Sequence, residues 1–71
     1  MKKISELRIE SGGITQEELA HALEVTQASV SRWEKNQLRI NGENLIKLAL
    51  YFDVSVDAIL GIEDELTKNE G

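Results

Sequence analysis

The sequence has no cysteine, no long apolar run and no excess of basic residues. Without cysteine it can form no disulfide and offers no thiolate to a metal, so we expect a reducing compartment, the cytoplasm. No apolar stretch approaches the roughly 20 residues of a membrane-spanning helix, and no apolar leader follows Met1. A chain of 71 residues is long enough for one domain. The sequence therefore predicts a single domain, outside the membrane, whose core gives a net stability of only a few kcal/mol, so that dimerisation would help.

The net charge of −5 counts at first against nucleic acids, because the proteins that bind them usually carry a basic excess. The charge is unevenly placed, however. Residues 1–52 hold seven basic and seven acidic side chains, whereas residues 53–71 hold one lysine against six acids. We expect a binding domain over residues 1–61 and an acidic tail over residues 62–71. The net charge alone therefore does not exclude nucleic acid.

Apolar residues recur at intervals of three and four, and no long stretch alternates with period two, which predicts an all-α fold. Thr15 and Glu18 form a capping box, and Thr26, Asn41 and Ser55 are the other predicted N-caps. The predicted helices span residues 2–11, 16–23, 27–36, 42–52 and 56–60, with a loop over residues 37–40. More than half the surface of the fourth helix is apolar, so we expect it to be central and almost wholly buried.

The second and third predicted helices form a closely joined pair. Their short connection, with the small Ala20 where they pass closest, is typical of a helix-turn-helix, and Val30 and Trp33 are predicted to face inward. The outward face of the third helix then offers amides, hydroxyls, a guanidinium and a small apolar group. Such groups match base-pair edges in the major groove of double-stranded DNA. That face comprises Gln27, Ala28, Ser29, Ser31, Arg32, Lys35 and Asn36.

Further motifs occur in order over residues 3–61. They are residues 7–8 (LR), 14–20 (ITQEELA), 25–27 (VTQ), 30–34 (VSRWE), 43–45 (ENL) and 54–56 (VSV). Together they resemble the lambda-repressor/Cro-type helix-turn-helix family, the XRE family of bacterial and phage regulators. The resemblance implies a compact five-helix DNA-binding domain that acts as a homodimer, with its third helix in the major groove. It also implies a transcriptional regulator, and we expect a repressor on a palindromic operator, with no enzymatic activity and no cofactor.

Transferred position by position, the resemblance assigns site residues and an internal ion pair. Base contacts are expected from Gln27, Ala28, Ser29 and Arg32. Contacts to phosphates and the sugar-phosphate backbone are expected from Gln16, Thr26, Lys35, Asn36 and Arg39. Arg8 and Glu34 match a pair that joins the first and third helices.

The sequence departs from the family at several positions. Glu24, Asn36 and Asp53 stand where relatives often have glycine, so we expect left-handed backbone on these non-glycine residues. Ile40 replaces a common proline, which predicts a looser loop before the fourth helix. Gly12 and Gly13 make the first connection one residue longer than usual.

Two alternatives remain open at this stage. Ile59, Ile62 and Leu66 are spaced i, i+3 and i+7, so the acidic tail could hold a toxin partner, as in an antitoxin; alternatively, Ile59 closes the core and Ile62 lines a dimer seam. The chain could also be a protein-interaction adaptor that has lost DNA affinity. An enzyme has no support, because His21 is the only histidine and no nucleophile–base pair or metal cluster is present.

Overall fold

A computed structural model describes residues 1–62, and this part of the chain contains five α-helices and no strand. The predicted all-α fold is confirmed. The predicted tail lies almost wholly outside the described residues, as does Leu66 of the proposed toxin-binding stripe. The elements are α1 (Ile4–Glu10), α2 (Gln16–Leu23), α3 (Gln27–Lys35), a 3₁₀ turn (Gln37–Arg39), α4 (Gly42–Phe52) and α5 (Val56–Leu60).

Four of the helices begin at the predicted N-caps. Thr15, Thr26, Asn41 and Ser55 each accept a hydrogen bond from the backbone N–H three residues further on. At α2 the capping box is complete, because the Glu18 carboxylate accepts from the Thr15 N–H at 3.1 Å. These bonds satisfy donors that lack a partner within the helix, so local chemistry fixes the helix starts.

The structure corrects the predicted bounds at three places. Helix α1 begins at Ile4, two residues later than predicted, because the Lys2 N–H donates to the Ala58 carbonyl at 2.8 Å and holds the chain extended. Helices α1 and α3 each end one residue earlier than predicted. The predicted loop over residues 37–40 contains the 3₁₀ turn, whose Leu38 N–H is capped by the Asn36 side chain at 3.2 Å.

Every helix contributes apolar side chains to the core, which is centred on α2, α3 and α4. Val30 and Trp33 are buried, as predicted, and so is Ile59, which closes the core from α5. Ile40, at the position of the family's proline, is also buried. The buried cluster consists of Ile4, Leu19, Ala20, Leu23, Val30, Trp33, Ile40, Leu45, Leu48 and Ile59.

The prediction for α4 is wrong. Its buried residues are Leu45 and Leu48. On the opposite side Ile46 and Leu50 are 57% and 79% exposed, and Tyr51 is 45% exposed. In the described part of the chain the other helices pack against one side of α4, so its second apolar side stays in solvent. The sequence shows correctly that α4 is rich in apolar residues. It does not show how many other helices pack against α4 and cover those residues.

The expectation of left-handed backbone holds for two of its three residues. Glu24 and Asp53 have φ of 59° and 55° at the C-terminal ends of α2 and α4. After Glu24, the Val25 N–H returns to the Ala20 carbonyl at 2.9 Å, which closes the helix end in a Schellman motif. Asn36 instead has φ of −155°, which is extended backbone. The expectation for Asn36 is therefore wrong, because the chain passes directly into the 3₁₀ turn that this residue caps.

We expect Glu24→Gly to raise the free energy of unfolding by about 0.5–1 kcal/mol. Glycine relieves the left-handed strain, and the greater freedom of the unfolded chain offsets part of this gain. Asn36→Gly should act in the opposite direction, because it removes the cap on Leu38 and relieves no strain. Urea unfolding followed by Trp33 fluorescence measures both variants. A stabilised Asn36→Gly protein would contradict this assignment of backbone strain.

Candidate nucleic-acid interface

Helices α2 and α3 pack closely against each other, with small and apolar residues buried between them. Ala20 is buried where the two helices meet, and Leu23 is buried beside it. The Nζ of Lys47 on α4 donates to the Leu23 carbonyl at 3.2 Å, which ties α4 to the C-terminal end of α2. Val30 and Trp33 fill the inner side of α3, and within residues 1–62 its opposite side faces solvent.

The outward face of α3 presents the four residues predicted to contact bases. Gln27, Ala28 and Arg32 are exposed, and Ser29 is half-buried. Ser29 also organises the face: its Oγ lies 2.9 Å from Thr26 Oγ1 and accepts from Arg32 Nη2 at 3.1 Å. The guanidinium therefore lies along the helix, where its remaining N–H groups are available to an acceptor.

A groove of about 580 Å³ opens beside this face, between α3 and the beginning of α4. It places Arg32 next to Asn36 and Arg39, which come from the end of α3 and from the 3₁₀ turn. Among residues 1–62 no carboxylate lines this groove, so these residues offer cationic and amide donors to an anionic ligand. Its lining residues are Ser29, Arg32, Trp33, Asn36, Arg39, Asn41 and Asn44.

Two of these lining residues were not among the predicted site residues. Asn41 was recognised only as the N-cap of α4, and Asn44 was assigned no role. The Asn41 Oδ1 accepts from the Asn44 N–H at 2.9 Å. The sequence signal was the two asparagines at the start of a helix, but only the packing of α4 beside α3 brings them to the groove.

Lys35 lies apart from this groove. It lines a separate depression with Lys3, Glu34 and Asn36, towards the N-terminus of the chain. Asn36 borders both depressions and so connects them. Lys35 and Arg39 therefore flank the α3 face on two sides.

An ion pair between α1 and α3 lies behind the interface, as the resemblance implied. Arg8 Nε donates to Glu34 Oε2 at 2.7 Å, and Arg8 Nη2 donates to Oε1 at 3.0 Å. The pair is largely buried, with 18% of the Arg8 and 15% of the Glu34 side chain exposed. Arg8 Nη1 also donates to the Ile14 carbonyl at 3.0 Å, and this bond fixes the approach to α2.

Gln16 joins the same network from the first turn of α2. Its Nε2 donates to Glu34 Oε1 at 3.2 Å, and the residue is half-buried. A phosphate is an acceptor, so a contact with Gln16 needs the other N–H of this amide or the backbone N–H at the start of α2. The phosphate contact predicted for Gln16 stays a prediction, now with a defined donor.

The pKa of Glu34 reflects this network. Burial alone raises the pKa of the carboxyl, but hydrogen bonds from Arg8 and Gln16 and the nearby positive charge outweigh burial, so the pKa lies below its ordinary value of 4.5. The hydrogen bond to Glu34 likewise raises the pKa of Arg8. Both shifts favour the charged forms, so the two residues form a charge-assisted pair.

The direction of the Glu34 shift predicts how stability depends on pH. A carboxyl with a lowered folded-state pKa stabilises the protein fully above its unfolded-state pKa, and this stabilisation is lost as pH falls through the folded-state value. The difference in unfolding free energy between the parent protein and Glu34→Gln should therefore shrink as pH falls below about 4.5. Urea unfolding at a series of pH values measures this difference. Parallel curves for the two proteins would contradict the assignment.

Comparison with known proteins identifies the fold family. The family model described as helix-turn-helix matches residues 4–59. The chain belongs to the XRE-type helix-turn-helix family. The matched span includes the α2–α3 pair, the Arg8–Glu34 pair and α4. The resemblance predicted from the sequence is therefore confirmed.

Two curated relatives of this helix-turn-helix protein cover almost its whole length. The HTH-type transcriptional activator BcrR of Enterococcus faecalis is 33% identical over 69 residues, which is 97% of this chain and 33% of BcrR. The HTH-type transcriptional regulator ImmR of Bacillus subtilis (strain 168) is 32% identical over 69 residues, 97% of this chain and 54% of ImmR. The chain thus spans about a third and about half of these relatives. The comparison with solved structures found no match.

Both relatives are named as HTH-type transcriptional proteins, one an activator and the other a regulator. Among residues 1–62, no group of three or more histidine and carboxylate side chains is placed to hold a metal ion. Over the same residues, no helix is both long and apolar enough to cross a membrane.

Proposed function

We propose that this helix-turn-helix protein binds double-stranded DNA sequence-specifically, with α3 in the major groove. The observation that carries the proposal is the outward face of α3 beside the groove of Arg32, Asn36 and Arg39, which no carboxylate of residues 1–62 lines. An exposed helix face with amide, hydroxyl and guanidinium groups can read base edges, and flanking cations can hold phosphates. We further propose that residues 1–61 constitute the binding domain.

In this proposal the predicted site residues divide into those that contact bases and those that contact phosphates or the sugar-phosphate backbone. Gln27, Ala28, Ser29 and Arg32 read bases, with Ser29 also aligning Arg32. Thr26 and Gln16, at the starts of α3 and α2, lie where helix N-termini favour phosphates. Lys35, Asn36 and Arg39 contact the backbone on either side of the reading face, and the amides of Asn41 and Asn44 extend that contact along the groove.

The net charge of −5 is consistent with a protein whose affinity for DNA depends mainly on the base sequence of the DNA. Acidic side chains away from α3 weaken the attraction of the whole chain to any duplex. Cations beside the reading face act locally, within roughly the 8–10 Å over which physiological salt screens charge. We therefore expect weak non-specific binding and a large share of the affinity from base contacts.

We propose that the protein acts as a homodimer on a palindromic operator and represses transcription by occupying it. A two-fold dimer places two α3 helices on half-sites about one helical turn apart. Repression needs only occupancy of the operator, which a domain of this size can supply. BcrR is named an activator, so the experiment must distinguish repression from activation. A reporter with the selected operator placed over or upstream of the promoter distinguishes the two modes.

We expect Arg32→Ala and Lys35→Ala to weaken DNA binding in different ways. Loss of the Arg32 guanidinium should cost about 1–3 kcal/mol on the preferred duplex and relax the preference at one base pair. Loss of Lys35 should weaken binding to all duplexes alike and reduce the salt slope by about one. Fluorescence anisotropy titrations with preferred and scrambled duplexes at several salt concentrations measure both effects. Unchanged binding in both variants would show that α3 is not the reading helix.

Selection from random duplexes with the purified protein, repeated at two salt concentrations, tests the proposal as a whole. A palindromic consensus supports specificity, symmetry and the spacing of the half-sites together. Selection with Arg32→Ala as the matched control should lose information at one position in each half-site. Absence of any enrichment, together with the absence of salt-dependent duplex binding, would instead favour an interaction adaptor.

A further inference from the structure

The outward side of α4 carries a stripe of four residues in which acids flank two apolar side chains. Glu43, Ile46 and Leu50 are spaced by three and four positions, so they follow one face of the helix, and Asp53 is the residue directly after its C-terminal end. Ile46 and Leu50 are more than half exposed, and Leu50 has the largest exposed fraction of any bulky apolar residue among residues 1–62. We call these four residues the α4 stripe.

A groove continues the apolar part of the α4 stripe towards α2. Leu50 and Tyr51 form one side of it, and Ala22 and Glu24 at the end of α2 form the other. Lys47 also lines this groove, where its Nζ donates to the Leu23 carbonyl. The surface thus combines exposed leucine, isoleucine and tyrosine side chains with three carboxylates, those of Glu43, Asp53 and Glu24. Single exposed apolar residues are ordinary, whereas neighbouring ones beside a groove are typical of an interaction surface.

The charges on the α4 stripe disfavour a second copy of this chain as its occupant. In an antiparallel contact centred between Ile46 and Leu50, two-fold symmetry sets Glu43 opposite Asp53 of the other copy. In a parallel contact, Glu43 meets Glu43. Either arrangement brings like charges together at both ends of the apolar contact, which costs free energy. Residues 63–71 are also a poor match by charge, because they hold four acids against one lysine.

We propose that the α4 stripe binds an amphipathic helix of a partner protein, in which lysine or arginine flanks two apolar residues at matching spacing. Apolar residues at intervals of three and four would pack on Ile46 and Leu50, as a helix does in an apolar groove. The flanking cations would pair with the carboxylates of Glu43 and Asp53, and this pairing would make the surface specific for basic helices. Ile46 and Leu50, the apolar part of the stripe, do not line the groove beside α3. The proposal does not depend on DNA binding.

A designed peptide tests the proposal directly. The probe is an alanine-based helical peptide in which two leucines four positions apart are flanked by lysines, and its control has glutamate in place of each lysine. With the ¹⁵N-labelled protein of 71 residues, the lysine peptide should shift the amide resonances of Ile46, Leu50 and Glu24. We expect it to bind about tenfold more tightly than the glutamate peptide, with a difference that falls as salt is raised.

Three variants separate the apolar from the charged part of the contact. Leu50→Ser should abolish peptide binding while leaving the fold intact, because Leu50 is exposed. Glu43→Gln combined with Asp53→Asn should remove the discrimination between the two peptides; asparagine tolerates the left-handed backbone at position 53. Circular dichroism verifies the fold of each variant, and Leu38→Ser is a matched control at an exposed leucine outside the stripe.

Several outcomes would overturn the proposal. If the two peptides bound equally tightly, or if the amide resonances shifted only in α3, the α4 stripe would not be a binding site for a basic helix. A concentration-dependent dimer that Leu50→Ser dissociates would assign the stripe to a second copy. Duplex binding by Leu50→Ser is measured in parallel, so failure of this proposal and failure of the DNA-binding proposal give different results.

Discussion

Arg8→Met should lower the free energy of unfolding by about 2–3 kcal/mol, a large part of the stability of a domain this small. Methionine keeps the aliphatic volume of arginine but removes both donors to the Glu34 carboxylate, at 2.7 and 3.0 Å, and the donor to the Ile14 carbonyl. A buried carboxylate without its partner costs about 3–5 kcal/mol; we expect somewhat less here, because 15% of the Glu34 side chain is exposed.

A double-mutant cycle separates the ion pair from the other effects of this substitution. Arg8→Met combined with Glu34→Gln removes the unpaired charge and leaves an amide oxygen that can still accept from Gln16. The double variant should therefore recover more than about 1 kcal/mol relative to the sum of the two single losses. Arg39→Met is the matched control, because Arg39 is exposed and should change stability little. Simple additivity of the two single variants would refute a coupled pair.

Gln37→Leu should cost about 3 kcal/mol of unfolding free energy, although it replaces a polar side chain with an apolar one of similar size. Gln37 is 5% exposed and makes three hydrogen bonds. Its Oε1 accepts from the Ile4 N–H at 2.8 Å, and its Nε2 donates to the Ile59 and Lys2 carbonyls at 2.8 and 3.0 Å. Leucine leaves these backbone groups without a partner, at about 1 kcal/mol or more each.

Gln37 owes this role to the two helix ends that it joins. The N-cap of α1, Lys3, makes no side-chain cap, so Gln37 caps α1 from 33 residues further along the chain. Its Nε2 satisfies the Ile59 carbonyl in the last turn of α5. The 3₁₀ turn that contains Gln37 also carries Arg39 of the proposed interface. One side chain thus holds α1 and α5 against the turn that positions an interface cation.

Gln37→Glu distinguishes this hydrogen-bonding role from simple packing. A carboxylate can accept from Ile4 but cannot donate to the two carbonyls, so we expect a loss at neutral pH at least as large as with leucine. Protonation at low pH restores one donor and should recover part of the loss relative to Gln37→Leu. Urea unfolding gives the free energies, and hydrogen exchange at the Ile4 amide reports on the cap. A neutral effect of Gln37→Leu would be incompatible with this role.

Those features of this protein that depend on residues close together in the sequence could be predicted from the sequence. Thr15, Thr26, Asn41 and Ser55 bond to N–H groups three residues away, so the starts of α2 to α5 follow from local chemistry. The inward positions of Val30 and Trp33 follow from helical periodicity. The Arg8–Glu34 pair, 26 residues apart, could be expected only because the chain resembles a known family.

Other features depend on which elements pack together, and only the tertiary structure decided them. Asn36 is extended because a 3₁₀ turn follows α3, although the resemblance to the family had predicted left-handed backbone there, as at Glu24 and Asp53. Gln37 could not be identified as a cap, since its partners are 22 to 35 residues away.

The charge and the apolar content of the chain also divide into what the sequence determines and what only the tertiary structure decides. The sequence by itself determined that basic and acidic residues balance over residues 1–52 and that α4 is rich in apolar side chains. Only the packing of the described residues decided that Arg32 and Arg39 share a groove that none of their carboxylates lines, and that Ile46 and Leu50 are exposed. The physical reason is that a sequence fixes how many side chains of each kind are present, whereas burial and electrostatic environment depend on distances between elements far apart in the chain.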